Sequence, residues 1–247
     1  MNIVLLESLG ISPELLDHYA KALAQKGHHF AAYERDTDPD VQIARAKDAD
    51  ILMIANMPLS GKVIRACKNL KFIDVAFTGV DHVDLKAARE MGVKVSNAAG
   101  YSTQAVAEIA LCMMLALLRN IPQVEERCRQ GKTKDGLVGS QLSSKTVGIV
   151  GAGAIGCRVA QLCHAFGCKV LGYKRHVTGT EPDCIQFTTL DELLANSDIV
   201  SLHCPLNDES KHLIDTEAIA KMKDGAYLIN TARGPVVDSQ AVADALN

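Results

Sequence analysis

Apolar residues recur along this chain in short runs separated by amphipathic stretches. Residues 3–6, 30–33, 51–55, 72–77 and 93–96 read as strands, mostly apolar or alternating. The spacing between them predicts helices over 13–25, 40–47, 60–68 and 84–91. In the first of these Leu15, Leu16, Tyr19 and Leu23 share one face, and Gly27 stops the helix. Such alternation predicts a parallel sheet with right-handed crossovers. A long segment over 103–119 follows, with Ser102 placed to cap it. It is apolar nearly all round and is expected to lie between two packed bodies. Residues 120–144 are polar and rich in Gly, Ser and Lys, and read as a connecting arm. A second series then begins, with strands at 146–150, 169–173, 184–187, 198–202 and 226–230. Helices are predicted at 153–166, 189–195 and 215–222, and another starts at Asp238. The expected organisation is an α/β domain over 1–99, a hinge helix and arm over 100–145, and a second α/β domain over 146–247.

Composition narrows the class. A chain of 247 residues has room for one large domain or two small ones. A hydrophobic fraction of 48% with 22% charged residues fits an ordinary globular protein. The net charge of −3 offers no basic surplus for nucleic acid, and no Lys/Arg block suits an anionic membrane. The longest apolar stretch, 105–118, contains Glu108 and is too short to span a bilayer. The first seven residues turn acidic at Glu7, too soon for a signal peptide, and read as a first strand. A cytoplasmic location with no nucleic-acid or membrane partner is expected. None of the eight cysteines form a C-x-x-C pair. Cys112, Cys157 and Cys163 lie in apolar helical patterns and Cys204 lies beside an apolar strand, so reduced structural thiols are expected, not disulfides or metal ligands.

Three segments carry chemistry. Gly151-Ala152-Gly153-Ala154-Ile155-Gly156 leaves an apolar strand, opens a helix, and is followed at the right distance by a second strand. Glycines permit the tight turn and close approach of a phosphate, and the helix N-terminus offers free N–H donors. In that context the motif predicts dinucleotide binding rather than an ordinary glycine-rich turn. Lys174 and Arg175 follow the second strand, where NAD-preferring domains usually carry an acid. Cations there attract a 2′-phosphate, so NADP is favoured over NAD; the bland alternative is that both point into solvent. Asn230-Thr231-Ala232-Arg233-Gly234-Pro235-Val236-Val237-Asp238 leaves the last apolar strand. The planar fork of Arg233 can hold a carboxylate and polarise an adjacent carbonyl; alternatively it caps the turn or pairs with a surface acid.

Combined with four further segments, the pattern becomes specific. Phe77-Thr78-Gly79-Val80-Asp81-His82-Val83-Asp84, Asn97-Ala98-Ala99-Gly100-Tyr101-Ser102-Thr103, Ala105-Val106-Ala107-Glu108 and Ser201-Leu202-His203-Cys204-Pro205-Leu206 occur in order around the glycine turn and the Arg segment. The set resembles the NAD(P)-dependent D-isomer-specific 2-hydroxyacid dehydrogenases over essentially the whole chain. The resemblance implies a flavodoxin-like substrate domain and a Rossmann-type doubly wound cofactor domain. It implies that Arg233 binds the substrate carboxylate, with backbone N–H groups around Gly79 and Val80 on its other oxygen. Gly151, Gly153, Ala154, Ile155 and Gly156 are implied to cradle the pyrophosphate. His203, Cys204 and Pro205 would line the adenosine and ribose side, Thr231 and Ala232 the nicotinamide, and Thr103 would reach the cofactor from the hinge helix. His203 and His82 read as a strand-end and a turn residue, not as the acid–base group.

In the family a Glu and then a His follow the Arg segment, the His protonating the alkoxide and the Glu pairing with it. Both would fall beyond Asn247, so the Rossmann domain is expected to be incomplete at its C-terminus and residues 1–247 inactive or nearly so. The resemblance also implies a homodimer, with 103–119 and 120–144 the expected contact. Asn56-Met57-Pro58-Leu59-Ser60 follows a first-domain strand, which makes Asn56 a candidate substrate residue. No cation occurs there before Lys62, which favours a small unphosphorylated 2-keto acid such as glyoxylate, hydroxypyruvate or pyruvate. The competing reading is a non-catalytic NAD(P)(H) sensor, or an inactive fragment, on the same fold.

Overall fold

The apolar runs pair as parallel strands in two separate five-stranded sheets. The computed structural model describes residues 1–247, and the chain divides into two units, Met1–Tyr101 and Ser102–Asn247. The first unit holds β1 (Asn2–Leu5), β2 (His29–Ala32), β3 (Ile51–Ile54), β4 (Phe72–Val75) and β5 (Lys94–Asn97), in the order β2-β1-β3-β4-β5. That is the flavodoxin-like order. Its helices are α1 (Pro13–Gln25), α2 (Pro39–Ala46), α3 (Gly61–Ala66) and α4 (Leu85–Glu90). Leu52, Ile54, Ile73 and Val75 of the central strands form the middle of its core.

α1 departs from expectation. Ser12 caps it through Leu15 N–H and Pro13 opens it, but no residue of it is buried, and Leu15 and Tyr19 are 42% and 57% exposed. The helix lies along β2, an edge strand, so little of its apolar face reaches the sheet.

The second unit holds β6 (Thr146–Val150), β7 (Lys169–Tyr173), β8 (Ile185–Phe187), β9 (Ile199–Leu202) and β10 (Tyr227–Asn230), in the order β10-β9-β6-β7-β8. This is the Rossmann arrangement, with its switch point between β6 and β9. The helices are α5 (Thr103–Leu118), α6 (Ile121–Arg129), α7 (Ala154–Ala165), α8 (Leu190–Asn196), α9 (Thr216–Ala220) and α10 (Ser239–Leu246). Alternate β6 residues serve two core layers: Val147 and Ile149 pack with α5 and α7, and Val150 packs with α8 and β9.

α5 packs on α7 through Ala107, Ala110, Met114 and Leu118. Its other flank leaves Ile109, Met113 and Leu117 39–46% exposed. The stretch expected to be a connecting arm begins with a helix, α6. Asn120 takes a left-handed φ of 52°, and α6 departs from α5 at 65°. Ile121, Val124 and Cys128 share one face of α6, and Glu125–Arg129 and Glu126–Gln130 contacts at 2.6 Å add support on its polar side. No single helix is long and apolar enough to cross a membrane.

Candidate active site

Both sheets are parallel, so ligands are expected at the carboxyl ends of their strands. In the second unit the turn after β6 has the geometry of a phosphate cradle. Gly151 has φ +96° and donates its N–H to Tyr173 O at 2.9 Å. A Cβ on Gly151 would stand 2.5 Å from Cys204 N, so the turn presses directly on the chain leaving β9. A Cβ on Gly156 would stand 2.2 Å from Gly151 O, which sets how closely α7 approaches the strand. At Gly153 a Cβ would meet no protein atom within 4 Å. The open space is over the N-terminus of α7, which has no side-chain cap. The N–H groups of Ala154, Ile155 and Gly156 belong to that first turn and are oriented for an anion. Each glycine thus does what a pyrophosphate cradle requires: turn, ligand approach, or helix packing.

A cleft of about 290 Å³ opens beside this turn, lined in part by Gly151, Gly153, Lys174, Arg175, His203, Cys204 and Pro205. That is at the low end of the range for small-molecule pockets. His203 Nε2 lies 2.9 Å from Ser201 Oγ, and Nδ1 lies 3.3 Å from Thr231 Oγ1, so the ring ties the ends of β9 and β10 together. Burial pushes its pKa down to about 4, leaving a neutral imidazole near pH 7. The unfolded chain binds this proton more readily, so His203 stabilises the fold at neutral pH. That contribution, at most about 3 kcal/mol, is lost as pH falls from roughly 6.5 toward 4. We expect His203→Gln to flatten the fall in urea midpoint between pH 7 and pH 5; an unchanged slope would reject the assignment.

Lys174 and Arg175 do line the cleft, but neither is a bare cation. Lys174 Nζ lies 2.5 Å from Glu181, a carboxylate with 4% of its side chain exposed. Lys174 above all, with the N–H and hydroxyl of Thr178, holds that carboxylate far below the usual range, and Gly179 N–H also donates to it, closing the loop after β7. Arg175 pairs with Glu209, which also faces the cleft. Glu181, Glu209, Ser201 and the cleft residues His176 and Asn207 were not singled out from the sequence. Glu209 lies in the Asn207–Ser210 turn, where Asn207 Oδ1 accepts from Glu209 and Ser210 N–H, and the string Asn207-Asp208-Glu209-Ser210 was the available signal.

After β10, Asn230 shapes the Arg233 turn. Its Oδ1 accepts from Ala232 N–H and its Nδ2 donates to Arg233 O. The Arg233 side chain is half-buried and donates from Nη1 to Ala232 O at 2.9 Å. Thr231 joins the cleft through His203, and Ala232 is the next residue. Thr103 is the first residue of α5 and is not among the residues lining the cleft.

In the first unit the Gly79–Val80 turn follows β4, and Asn56 follows β3. The two loops are stitched by Leu59 N–H to His82 O and Asp84 N–H to Leu59 O. Asn97 Nδ2 donates to Thr78 O at 2.6 Å and steadies the turn. Asn56, Gly79 and Val80 thus stand at one end of one sheet. Arg35 is there too: its Nη1 donates to Asn56 Oδ1 at 2.8 Å, a cation unseen in the linear sequence around residue 56.

A Rossmann unit with a glycine cradle, in one chain with a flavodoxin-like unit that has its own loop cluster, defines the class of two-part dinucleotide-binding proteins. Comparison with known proteins narrows this. Residues 111–247 match the family model described as D-isomer specific 2-hydroxyacid dehydrogenase, NAD binding domain. The chain is 36% identical to a hydroxypyruvate reductase of Thermotoga maritima over 229 residues, covering 92% of this chain and 74% of that one. D-lactate dehydrogenase from Aquifex aeolicus, solved with NAD and lactic acid, superposes with a TM-score of 0.86 at 31% identity, covering 100% of this chain and 73% of the other. An acyclic imino acid reductase solved with NADPH and D-Arg superposes with a TM-score of 0.89 at 29% identity, covering 100% and 79%. The chain belongs to the D-isomer-specific 2-hydroxyacid dehydrogenase family.

Proposed function

We propose that the protein transfers a hydride between NAD(P)H and a small 2-keto acid to give a D-2-hydroxy acid. The observation that carries this reading is the pairing of a complete glycine cradle with Arg233 at the same carboxyl end of the second, parallel sheet. Family membership supports it over the sensor reading, which leaves Arg233 and the Gly79–Val80 turn without a task.

The cradle at 151–156 binds the pyrophosphate, and the reduced nicotinamide, when bound, supplies the hydride. Arg233 holds the substrate carboxylate and turns the 2-keto carbon toward the ring, and Gly79 and Val80 N–H groups take the other carboxylate oxygen. Thr231 and Ala232 would line the nicotinamide side, and Thr103 would reach the cofactor from α5. His203, neutral and engaged at both ring nitrogens, serves as a floor and not as the acid. Between Gly234 and Asn247 there is neither His nor Glu. The exposed apolar flank of α5 is the surface we assign to a homodimer. A cytoplasmic setting fits the reduced thiols.

We assign the cofactor as NADP(H), on the strength of Lys174 and Arg175 in the cleft. Glu209 opposes this, since a 2′-phosphate must displace it from Arg175. The test is NADPH against NADH consumption with glyoxylate, hydroxypyruvate and pyruvate. Arg175→Ala is expected to lower kcat/KM for NADPH about ten- to hundredfold more than for NADH. Equal losses would reject the NADP assignment, and no turnover with any keto acid would favour the sensor.

A further inference from the structure

In the first unit, three adjacent strands deliver one network to their carboxyl ends. Glu7 follows β1, Arg35 follows β2 and Asn56 follows β3. Glu7 is 3% exposed, yet both carboxylate oxygens are engaged. Oε1 accepts from the N–H groups of Ala55 and Met57, each at 2.7 Å, one on either side of Asn56. Oε2 accepts from Arg35 Nη1 at 2.8 Å. The same Nη1 donates to Asn56 Oδ1 at 2.8 Å. Backbone and side chain of Asn56 are therefore both fixed by one ion pair, between buried Glu7 and half-exposed Arg35.

The chemistry of that clamp decides which way the amide faces. A guanidinium only donates, so the atom it touches must be the carbonyl oxygen. Nδ2 is left with two N–H donors and no partner, on an exposed residue beside the Gly79–Val80 turn. Glu7 balances the charge of Arg35, so the pair gives Asn56 orientation without offering a net cation for a phosphate.

We propose that Asn56, held by Arg35 and Glu7, selects 2-keto acids that carry a neutral oxygen on C3 over those that carry an alkyl group. Asn56 donates to that oxygen, and Arg35 and Glu7 are positioning residues. A C3 methyl leaves the amide desolvated without an acceptor, which disfavours it more than lost packing does. The inference rests on the proposed keto-acid reduction and deepens it.

The test compares hydroxypyruvate with pyruvate, which share the carboxylate, the keto group and the cofactor. The full chain is used. The wild type is expected to favour hydroxypyruvate at least tenfold in kcat/KM. Asn56→Leu should collapse that ratio at least tenfold, with the loss on hydroxypyruvate carried mainly by KM. Arg35→Met should lower the ratio in the same direction by freeing the amide to turn, and Arg35→Lys, which still donates to Oδ1, should recover part of it. General damage to the fold lowers both substrates alike and leaves the ratio in place. Turnover of both substrates with a ratio unmoved by Asn56→Leu overturns the inference and spares the dehydrogenase reading. Failure of the wild type to reduce either substrate removes the reading and the inference together.

Discussion

Arg233→Ala is expected to lower kcat/KM for the 2-keto acid by about 10²–10³ or more. Truncating one member of a close, hydrogen-bonded charge pair costs about 2–5 kcal/mol, which spans that range. The loss falls on KM through the carboxylate and on kcat through the orientation of the keto carbon. Arg233→Lys keeps the charge but not the planar fork, and is expected to recover only part. NAD(P)H affinity should fall far less, because the cradle at 151–156 lies on a different turn, after β6 and not after β10. Steady-state kinetics with cofactor titrated by fluorescence separate these effects. A loss below fivefold would return Arg233 to the role of a turn cap, for which its Nη1 contact to Ala232 O already qualifies it.

Gly151→Ala should abolish cofactor binding and destabilise the second unit. Two costs combine. A non-glycine residue at φ +96° costs about 1–2 kcal/mol. The new Cβ would also stand 2.5 Å from Cys204 N and 2.8 Å from His203 C, both backbone atoms that cannot swing aside. Overpacking of this kind adds about 1–3 kcal/mol. A fall in Tm of about 10 °C is the expected scale for a chain of this length. Gly153→Ala separates folding from binding, because its Cβ meets no protein atom. It should leave Tm nearly unchanged and weaken NAD(P)H binding at least tenfold. If both variants bind cofactor like the wild type, the turn is not the cradle.

The central strands were legible because a parallel sheet buried on both faces demands continuous apolar runs, as in β6 and β9, and the ten strands expected from the sequence correspond to the ten found. The glycine turn was legible because its function is local: turn, donor row and packing contact lie within six residues. Other features are not local. α6 has a short apolar face at Ile121, Val124 and Cys128, but none of its residues is buried, and the Gly, Ser and Lys that follow mask it in the sequence. The exposure of α1 depends on β2 being an edge strand, which only the strand order decides. Glu209 meets Arg175 across 34 positions, and Arg35 reaches Asn56 across 21 and Glu7 across 28. The sequence near residue 56 holds no cation before Lys62, although the fold supplies Arg35 from the loop after β2, two strands away in the sheet. Charge at that site is balanced in space and not along the chain.

The position of the switch point also bears on how the chain is made. β6 pairs with β7 on one side and with β9 on the other. The first partner begins at Lys169 and the second at Ile199, about 50 residues after β6 ends. At synthesis rates of roughly 5–20 residues per second, several seconds separate emergence of the glycine turn from emergence of the strand that walls its crevice. During that interval Gly151 has no Cys204 backbone to press against, and no nucleotide can be gripped. The cofactor can therefore act on the nascent protein only late, as a ligand that locks a sheet whose first half has already folded without it.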